Sequence, residues 1–329
     1  MDYAAFIIHG FIPGLNGQSP GTFWMPPQAS TLAPEVDWVF YLILWICIFF
    51  FVLIVALMTW FVLHYRKREG HAEEETAHHS MALELTWTII PLILVVLIFY
   101  FGFKTYLRMK VAPANALEIY VIGQKWNWFF QYPNGHIDED LHLPVDTPVQ
   151  LIIRSEDVTH SLFIPAFRIK MDAVPGRYTR AWVRAREEGV FPVYCAEYCG
   201  TQHSDMLADA IVHEPGLYEV WLEKASNLLN TMTPVEAGQY LVNKRCSQCH
   251  SVDGTADVGP SFLGVWGREE TLADGSTSVV EENYIRESIL EPSVKIAAGY
   301  ENVMPSFKGK LKEEEITAII EYLKTLKKD

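Results

Sequence analysis

Basic residues are scarce in this 329-residue chain: 26 Lys and Arg stand against 40 Asp and Glu, a formal net charge of -14. A nucleic-acid binder carries a basic face, and this balance supplies none, so no nucleic-acid partner is expected. Positively charged protein partners fit it better. Residues 1–65 contain no Lys or Arg at all. The start therefore lacks the basic stretch of a secretory leader, and with no cysteine near it no lipid anchor is expected. Charged residues make up only 20% against 50% hydrophobic, with a mean hydropathy of +0.10. That excludes a disordered chain, and the apolar excess argues against an ordinary soluble enzyme. Cysteine is limited to five residues. Four form two close pairs, Cys195/Cys199 and Cys246/Cys249, and close pairs beside histidine read as metal or haem sites before disulfides. Cys47, alone in an apolar run, reads as a small buried hydrophobe.

The apolar excess is concentrated in two blocks. The first runs from Trp38 to Leu63 without a charge, longer than the roughly 20 residues that cross a bilayer. The second runs from about Leu85 to Tyr106, and its Pro91 is tolerable in a spanning helix. Arg66, Lys67 and Arg68 directly follow the first block, which marks that end as cytoplasmic. The expected organisation is an exposed Gly/Pro-rich lead-in over 1–37, a first span over 38–64, a cytoplasmic loop over 65–83 and a second span over 84–108. Both termini then lie outside a bacterial cytoplasmic membrane.

Residues 109–225 change texture. Short β-branched and aromatic runs (Ala116–Ile122, Val149–Ile153, Arg180–Ala185, Phe191–Tyr194) alternate with turn signals at Pro133-Asn134-Gly135, Pro175-Gly176 and Glu188-Gly189. That spacing predicts a small antiparallel sandwich or barrel. Within it stands Cys195-Ala-Glu197-Tyr-Cys199-Gly-Thr-Gln-His203-Ser-Asp-Met206. Two thiols, an imidazole and a thioether are soft donors that select copper over hard cations. His160 upstream offers a second imidazole. A Cys195–Cys199 disulfide and a zinc site remain alternatives at this level, although zinc has little need of Met206.

These residues, with two spans ahead of them, resemble subunit II of cytochrome c oxidase over roughly residues 30–225. The resemblance implies a cupredoxin fold holding the dinuclear copper A centre. Cys195 and Cys199 would bridge the coppers, His160 and His203 would bind one each, Met206 would be a weak axial ligand and Glu197 would bind through its carbonyl. It further implies that Trp126, in Gly123-Gln-Lys-Trp126-Asn-Trp128, sits at the outer surface above the coppers where electrons arrive. It implies that the Glu197 side chain binds a magnesium or manganese ion shared with subunit I, near the segment Lys170–Arg177. Glu84, at the start of the second span, would lie at the mouth of a proton path. Asp205 departs from the aromatic or small residue that many relatives carry there, and is expected to shift the copper potential or to serve as a docking charge.

A linker is expected over 226–233, then a second outside domain over 234–329. Cys246-Ser-Gln-Cys249-His250 is a c-type haem attachment signal, with His250 as the proximal iron ligand. A thioredoxin-like pair would need a preceding strand, and Pro234–Val242 reads as a helix with proline in its first turn. With Gly259-Pro260, then Val303-Met304-Pro305, then the helical pattern Glu313–Leu326, the segment resembles a class I cytochrome c. Met304 would be the distal ligand and the Pro260 carbonyl would orient His250. Ile316, Ile319, Ile320, Tyr322, Leu323 and Leu326 line one face and should pack on the haem domain.

The fold class is therefore a multidomain membrane protein: a two-helix transmembrane hairpin, an all-β cupredoxin-like sandwich and an all-α cytochrome c domain. The fusion resembles the caa3 type of oxidase. The implied role is to pass electrons from an outside donor (a cytochrome c or a high-potential iron–sulfur protein) through covalent haem c and copper A to subunit I, for oxygen reduction coupled to proton pumping. Subunit III and membrane lipid are further expected partners. Asp138-Glu139-Asp140 and Glu197 are expected to dock positive surface from the fused domain or the donor. The competing readings are the equivalent subunit of a nitric oxide reductase and a membrane-tethered copper carrier. A nitrous-oxide reductase matches poorly, because of the two spans.

Overall fold

The computed structural model describes residues 21–68, 70, 79–255 and 257–327. Most of the lead-in's residues and most of the loop between the spans lie outside the described residues. Two long helices come first, α1 (Ala33–His64) and α2 (Met81–Lys110). Both are long and apolar enough to cross a membrane. At about 1.5 Å per residue each exceeds the hydrocarbon thickness. They pair as a hairpin in which Trp38 meets Phe101 edge-on at 4.6 Å. Cys47 is exposed rather than buried, because nothing among the described residues covers it in the middle of α1.

The sandwich has two five-stranded sheets. One, in the order β3-β2-β1-β5-β8, joins β1 (Leu117–Gln124), β2 (Asn127–Gln131), β3 (Ile137–Asp138), β5 (Pro148–Ser155) and β8 (Thr179–Arg184). The other, in the order β4-β10-β9-β6-β7, joins β4 (Leu141–Pro144), β6 (His160–Ile164), β7 (Ile169–Ala173), β9 (Gly189–Cys195) and β10 (Leu207–His213). Their inner faces bury Trp128, Phe130, Leu151, Ile153, Leu162 and Val193. The sheets are mixed, not antiparallel throughout: β1 runs parallel to β5 and β4 parallel to β10. Short alternating runs fix the strands and their inward faces, but pairing between strands far apart in sequence is set by crossovers that no local pattern encodes. Helix α3 (Leu217–Ser226) closes the domain by stacking Trp221 on His142 at 3.7 Å.

The sandwich sits at one end of the hairpin. Trp182 donates to the Arg108 carbonyl at the end of α2, at 2.8 Å. Arg168 reaches Asp37 in the first turns of α1. Glu84, in the first turn of α2, lies at the opposite end of the hairpin, with His79 3.6 Å from its carboxylate.

After a single helical turn, α4 (Leu228–Thr231), the C-terminal domain is built on α5 (Pro234–Arg245), α6 (Glu282–Leu290) and α7 (Glu313–Leu323), with a small ribbon of β11 (Glu269–Thr271) and β12 (Thr277–Val279). Thr233 and Glu236 form a reciprocal capping box that starts α5, and Pro234 stands where its missing N–H costs nothing. Helices α5 and α7 cross so closely that a Cβ on Gly238 would lie 2.0 Å from the Ala318 carbonyl oxygen. Ile316, Ile319, Ile320, Tyr322 and Leu323 are buried on the expected face of α7. Leu326 lies beyond the helix end, partly buried against the same core.

Candidate redox sites

The first site lies between the ends of two strands. His160 opens β6 and Cys195 closes β9, and Cys195 pairs in register with Leu162. The loop 196–206 then folds back through a short 3-10 turn at His203–Asp205 and delivers Met206 to the start of β10. This brings the sequence-predicted donors together. Cys195 Sγ and Cys199 Sγ stand 3.9 Å apart, too far for a disulfide. His160 Nδ1 lies 3.9 Å from Cys195 Sγ, and His203 Nδ1 lies 3.6 Å from Cys199 Sγ. Met206 Sδ is 3.9 Å from Cys199 Sγ, and the Glu197 carbonyl oxygen is 3.3 Å from Cys195 Sγ. His160 and Met206 are fully buried.

The electrostatics suit a cation. Burial raises the Cys195 thiol, but His160 and backbone hydrogen bonds outweigh it and bring the group down to about 6. Burial and the neighbouring Cys195 charge push Cys199 up to about 12. The two thiols are pushed in opposite directions, and a soft cation between them would let both ionise together. Two thiols, two imidazoles, a thioether and a carbonyl fit a copper pair. Asp157, which sequence reasoning left without a role, sits 2.8 Å from His160 Nε2 and fixes the ring with Nδ1 toward the sulfur. Its place three residues before His160 was the available clue.

The second site is a cavity in the C-terminal domain lined by Cys246, Cys249, His250, Phe262, Ile285 and Met304. His250 Nδ1 donates to the Pro260 carbonyl at 2.7 Å, which leaves Nε2 as the free lone pair. Phe262 stacks on the imidazole at 4.5 Å. A Cβ at Gly259 would come within 2.5 Å of His250 Cε1, so this glycine is part of the cradle. A helix rather than a strand precedes the Cys pair, which removes the thioredoxin-like alternative. Both thiols, a proximal imidazole and an apolar wall with a thioether fit a covalently attached haem.

The two sites face each other. Gln248 Nε2, between the two haem-site cysteines, donates to the Trp126 carbonyl at 3.2 Å and the Asp205 carbonyl at 3.1 Å. Gln202 Oε1, next to His203, lies 3.8 Å from Cys249 Sγ. Trp126 is therefore not at the outer surface: it is 6% exposed, against Gly200 and under the C-terminal domain. Sequence alone could not show that the chain's own second domain covers this position. The Asp205 contact is through its backbone carbonyl, so its side-chain charge plays no part in that bond.

Of the acidic stretch, Asp140 pairs with Lys244, and Glu139 lies 2.9 Å from Arg245. Asp138 instead pairs with His136 of its own domain at 3.4 Å. Glu197 is exposed, and no ion pair is recorded for it among the described residues. A further anchor had no sequence signal. Lys310, buried between the domains, donates to Gln124 and, at 2.6 Å, to Glu156, with its ammonium 4.9 Å from the Phe129 ring centre.

The comparisons agree with this architecture. Residues 18–105 match the transmembrane domain of cytochrome c oxidase subunit II, residues 134–213 its periplasmic domain, and residues 235–327 cytochrome c. Cytochrome c oxidase subunit 2 of Alkalihalophilus pseudofirmus is 33% identical over 312 residues, covering 89% of each chain. An alternative cytochrome c oxidase subunit 2 of Bradyrhizobium diazoefficiens is 30% identical, over 61% of this chain and 84% of its own length. A crystal structure of the periplasmic domain of subunit II from Bradyrhizobium japonicum is 28% identical, covering 36% of this chain and 99% of that one, with a TM-score of 0.34. Taken with the paired spans, the β-sandwich and the appended haem-binding fold, the three family matches and the Alkalihalophilus pseudofirmus relative show that the chain belongs to the cytochrome c oxidase subunit II family, in the caa3 form fused to its own cytochrome c domain.

Proposed function

We propose that this chain is the electron-input subunit of a caa3-type oxidase, taking electrons from an outside donor at haem c and passing them through copper A to subunit I, where oxygen is reduced and protons are pumped. As subunit II it is a membrane-anchored component of the oxidase complex, with haem c and copper A as its groups and subunit I as its partner. The contact of the haem-attachment loop with the copper loop carries the reading. It supports a relay in which the two redox domains of one chain act in series, with the acceptor always at hand.

In this reading Cys246 and Cys249 would attach the haem, His250, its tautomer set by Pro260, would offer Nε2 to the iron, and Met304 would offer its thioether. Cys195, Cys199, His160, His203, Met206 and the Glu197 carbonyl would hold the copper pair. When bound, each group takes up and releases one electron at a time, and no bond in the chain is made or broken. The chain's own work is to enclose, orient and tune. Full burial of His160 and Met206 argues against a carrier that exchanges its metal. The exposed Glu197 carboxylate is free for a magnesium or manganese ion shared with subunit I, and Glu84 stands at the other end of the hairpin as a candidate proton-path mouth. Haem attachment on the outer face, and the Arg66–Arg68 cluster on the inner, support a periplasmic position for both redox domains. The net charge of -14 favours a donor with a basic docking face. Subunit III and lipid complete the expected surroundings.

The test is a reduced-minus-oxidised visible spectrum of the complex purified through this chain. Haem a bands beside haem c bands are expected. Haem c with haem b alone would turn the reading toward a nitric oxide reductase, and no haem c band would end it.

A further inference from the structure

Two glutamines cross the contact between the redox domains, one from each side. Gln248 stands beside Cys249, and Gln202 stands beside His203. Each is one residue from a side chain that holds a redox group, in the reading just given, and each reaches the other's loop. Gln248 does so in a way few side chains could copy. Its amide nitrogen has two N–H groups, and they satisfy two carbonyls at once, Trp126 at 3.2 Å and Asp205 at 3.1 Å. Turning the amide over would set its oxygen against both carbonyls, so the orientation is forced. The two carbonyls belong to separate segments of the copper domain. One lies on the buried tryptophan, and the other lies directly before Met206.

The ion pairs of Lys310 with Glu156 and Lys244 with Asp140, and the close approach of Arg245 to Glu139, join the domains elsewhere. They fix that the domains are docked. None of these side chains belongs to the Cys246–His250 loop or to the copper loop 196–206, although Arg245 directly precedes Cys246. Among the described residues, Gln248 supplies the N–H donors that run from the Cys-x-x-Cys-His loop to the copper domain; the other contact of that loop, Cys249 Sγ with Gln202 Oε1 at 3.8 Å, has no S–H to donate once the sulfur is a thioether, so the register of the two loops rests on Gln248.

We propose that Gln248 is a positioning residue for electron transfer between the two domains, its side-chain amide clamping the haem-attachment loop to the Trp126 and Asp205 carbonyls. One electron is lost by haem c and one is gained by the copper pair, and no proton or bond is exchanged. The inference rests on the proposed identity of the two groups.

The test uses the purified holo-complex with Gln248→Glu, which keeps the shape and loses the donors, and Gln248→Met, which loses all polarity. Haem c and copper spectra and potentials should stay at wild-type values. Amide hydrogen exchange at residues 126–127 and 205–206 should speed up, and haem c oxidation after flash photoreduction should slow, each about tenfold for two lost hydrogen bonds. Gln202→Met probes the same contact from the copper side and should slow transfer in the same direction. It keeps the test open if a Gln248 variant does not mature. Transfer at the wild-type rate in these variants would overturn the proposal. So would slowing that comes with a shifted haem c potential, because the residue would then act on the haem and not on the contact. Absence of haem c or copper bands in the unsubstituted complex would instead overturn the two-site reading itself, a distinguishable failure.

Discussion

Arg168 and Asp37 form a two-point ion pair, at 2.7 and 2.8 Å, that ties the sandwich to the start of the first spanning helix. Both side chains are almost fully buried. Arg168 also donates to the carbonyls of Pro26, Pro27 and Pro165, and Gln28 donates to Asp37, so nearly every donor and acceptor is used. Such a pair costs most when one half is removed. Arg168→Met should lower the stability of the sandwich by about 3–5 kcal/mol, because it strands a buried carboxylate. Asp37→Leu combined with Arg168→Met should recover part of the loss but not all, since the Pro26 and Pro27 carbonyls lose their donor, while Pro165 keeps the backbone N–H of residue 168. Thermal unfolding of the detergent-solubilised chain, followed by tryptophan fluorescence, would check both.

Asp157 also accepts from the backbone N–H groups of Lys125 and Val158, at 2.7 and 2.6 Å, so one carboxylate joins the Trp126 segment to the His160 ring. Asp157→Asn keeps the shape and weakens the hold on the imidazole. The expected loss in copper affinity is about 10–100-fold, as for other partners that orient metal ligands. Competition with a copper chelator reads it directly. An unchanged affinity would mean that the strand positions of His160 and Cys195 suffice.

Gly259→Ala tests the haem cradle. The added methyl would fall 2.5 Å from His250 Cε1, so either the ring or the Pro260 segment must move. The expected result is a haem-stained chain with a weakened His250–Pro260 hydrogen bond, so that the imidazole is a poorer donor to iron, seen as a raised reduction potential and an altered Soret band. Pro260→Ala keeps the carbonyl acceptor and should change the spectrum less.

Much of this was readable from residues alone because the chemistry is local. Cys195 to Met206 and Cys246 to His250 carry their donors within one loop each, and the spans are long uninterrupted runs. What joins distant segments was not readable. Lys310 and Glu156 are 154 positions apart, and no composition or period marks either. The family resemblance implied a surface position for Trp126, and nothing in the sequence marks the domain that comes to cover it. The parallel pairing of β1 with β5 was missed for the same reason: alternation encodes which face is inward, not which strand is the neighbour.

The domain contact should also respond to pH through Glu139. Burial pushes its carboxyl up to about 7, against the pull of Arg245 and with the help of Asp138. Arg245 does not cancel the burial, because the two groups are 2.9 Å apart yet not aligned as a hydrogen bond. Between its ordinary value of 4.5 and about 7, the docked chain holds more protons on Glu139 than the unfolded chain does. The stability that Glu139 contributes is therefore present below about 4.5 and is lost as pH rises toward 7. His142 works the other way, since burial lowers it from 6.5 to about 4 and stability rises with pH across that window. The two trends overlap, so the wild-type curve alone cannot separate them. Glu139→Gln removes one group and leaves His142 in place. Relative to this variant, the wild type should lose stability steadily from about pH 4.5 to about pH 7, by a few degrees in Tm. A wild-type-minus-variant difference that is flat across the window would mean that Glu139 stays ionised against Arg245, and that this contact is an ordinary ion pair.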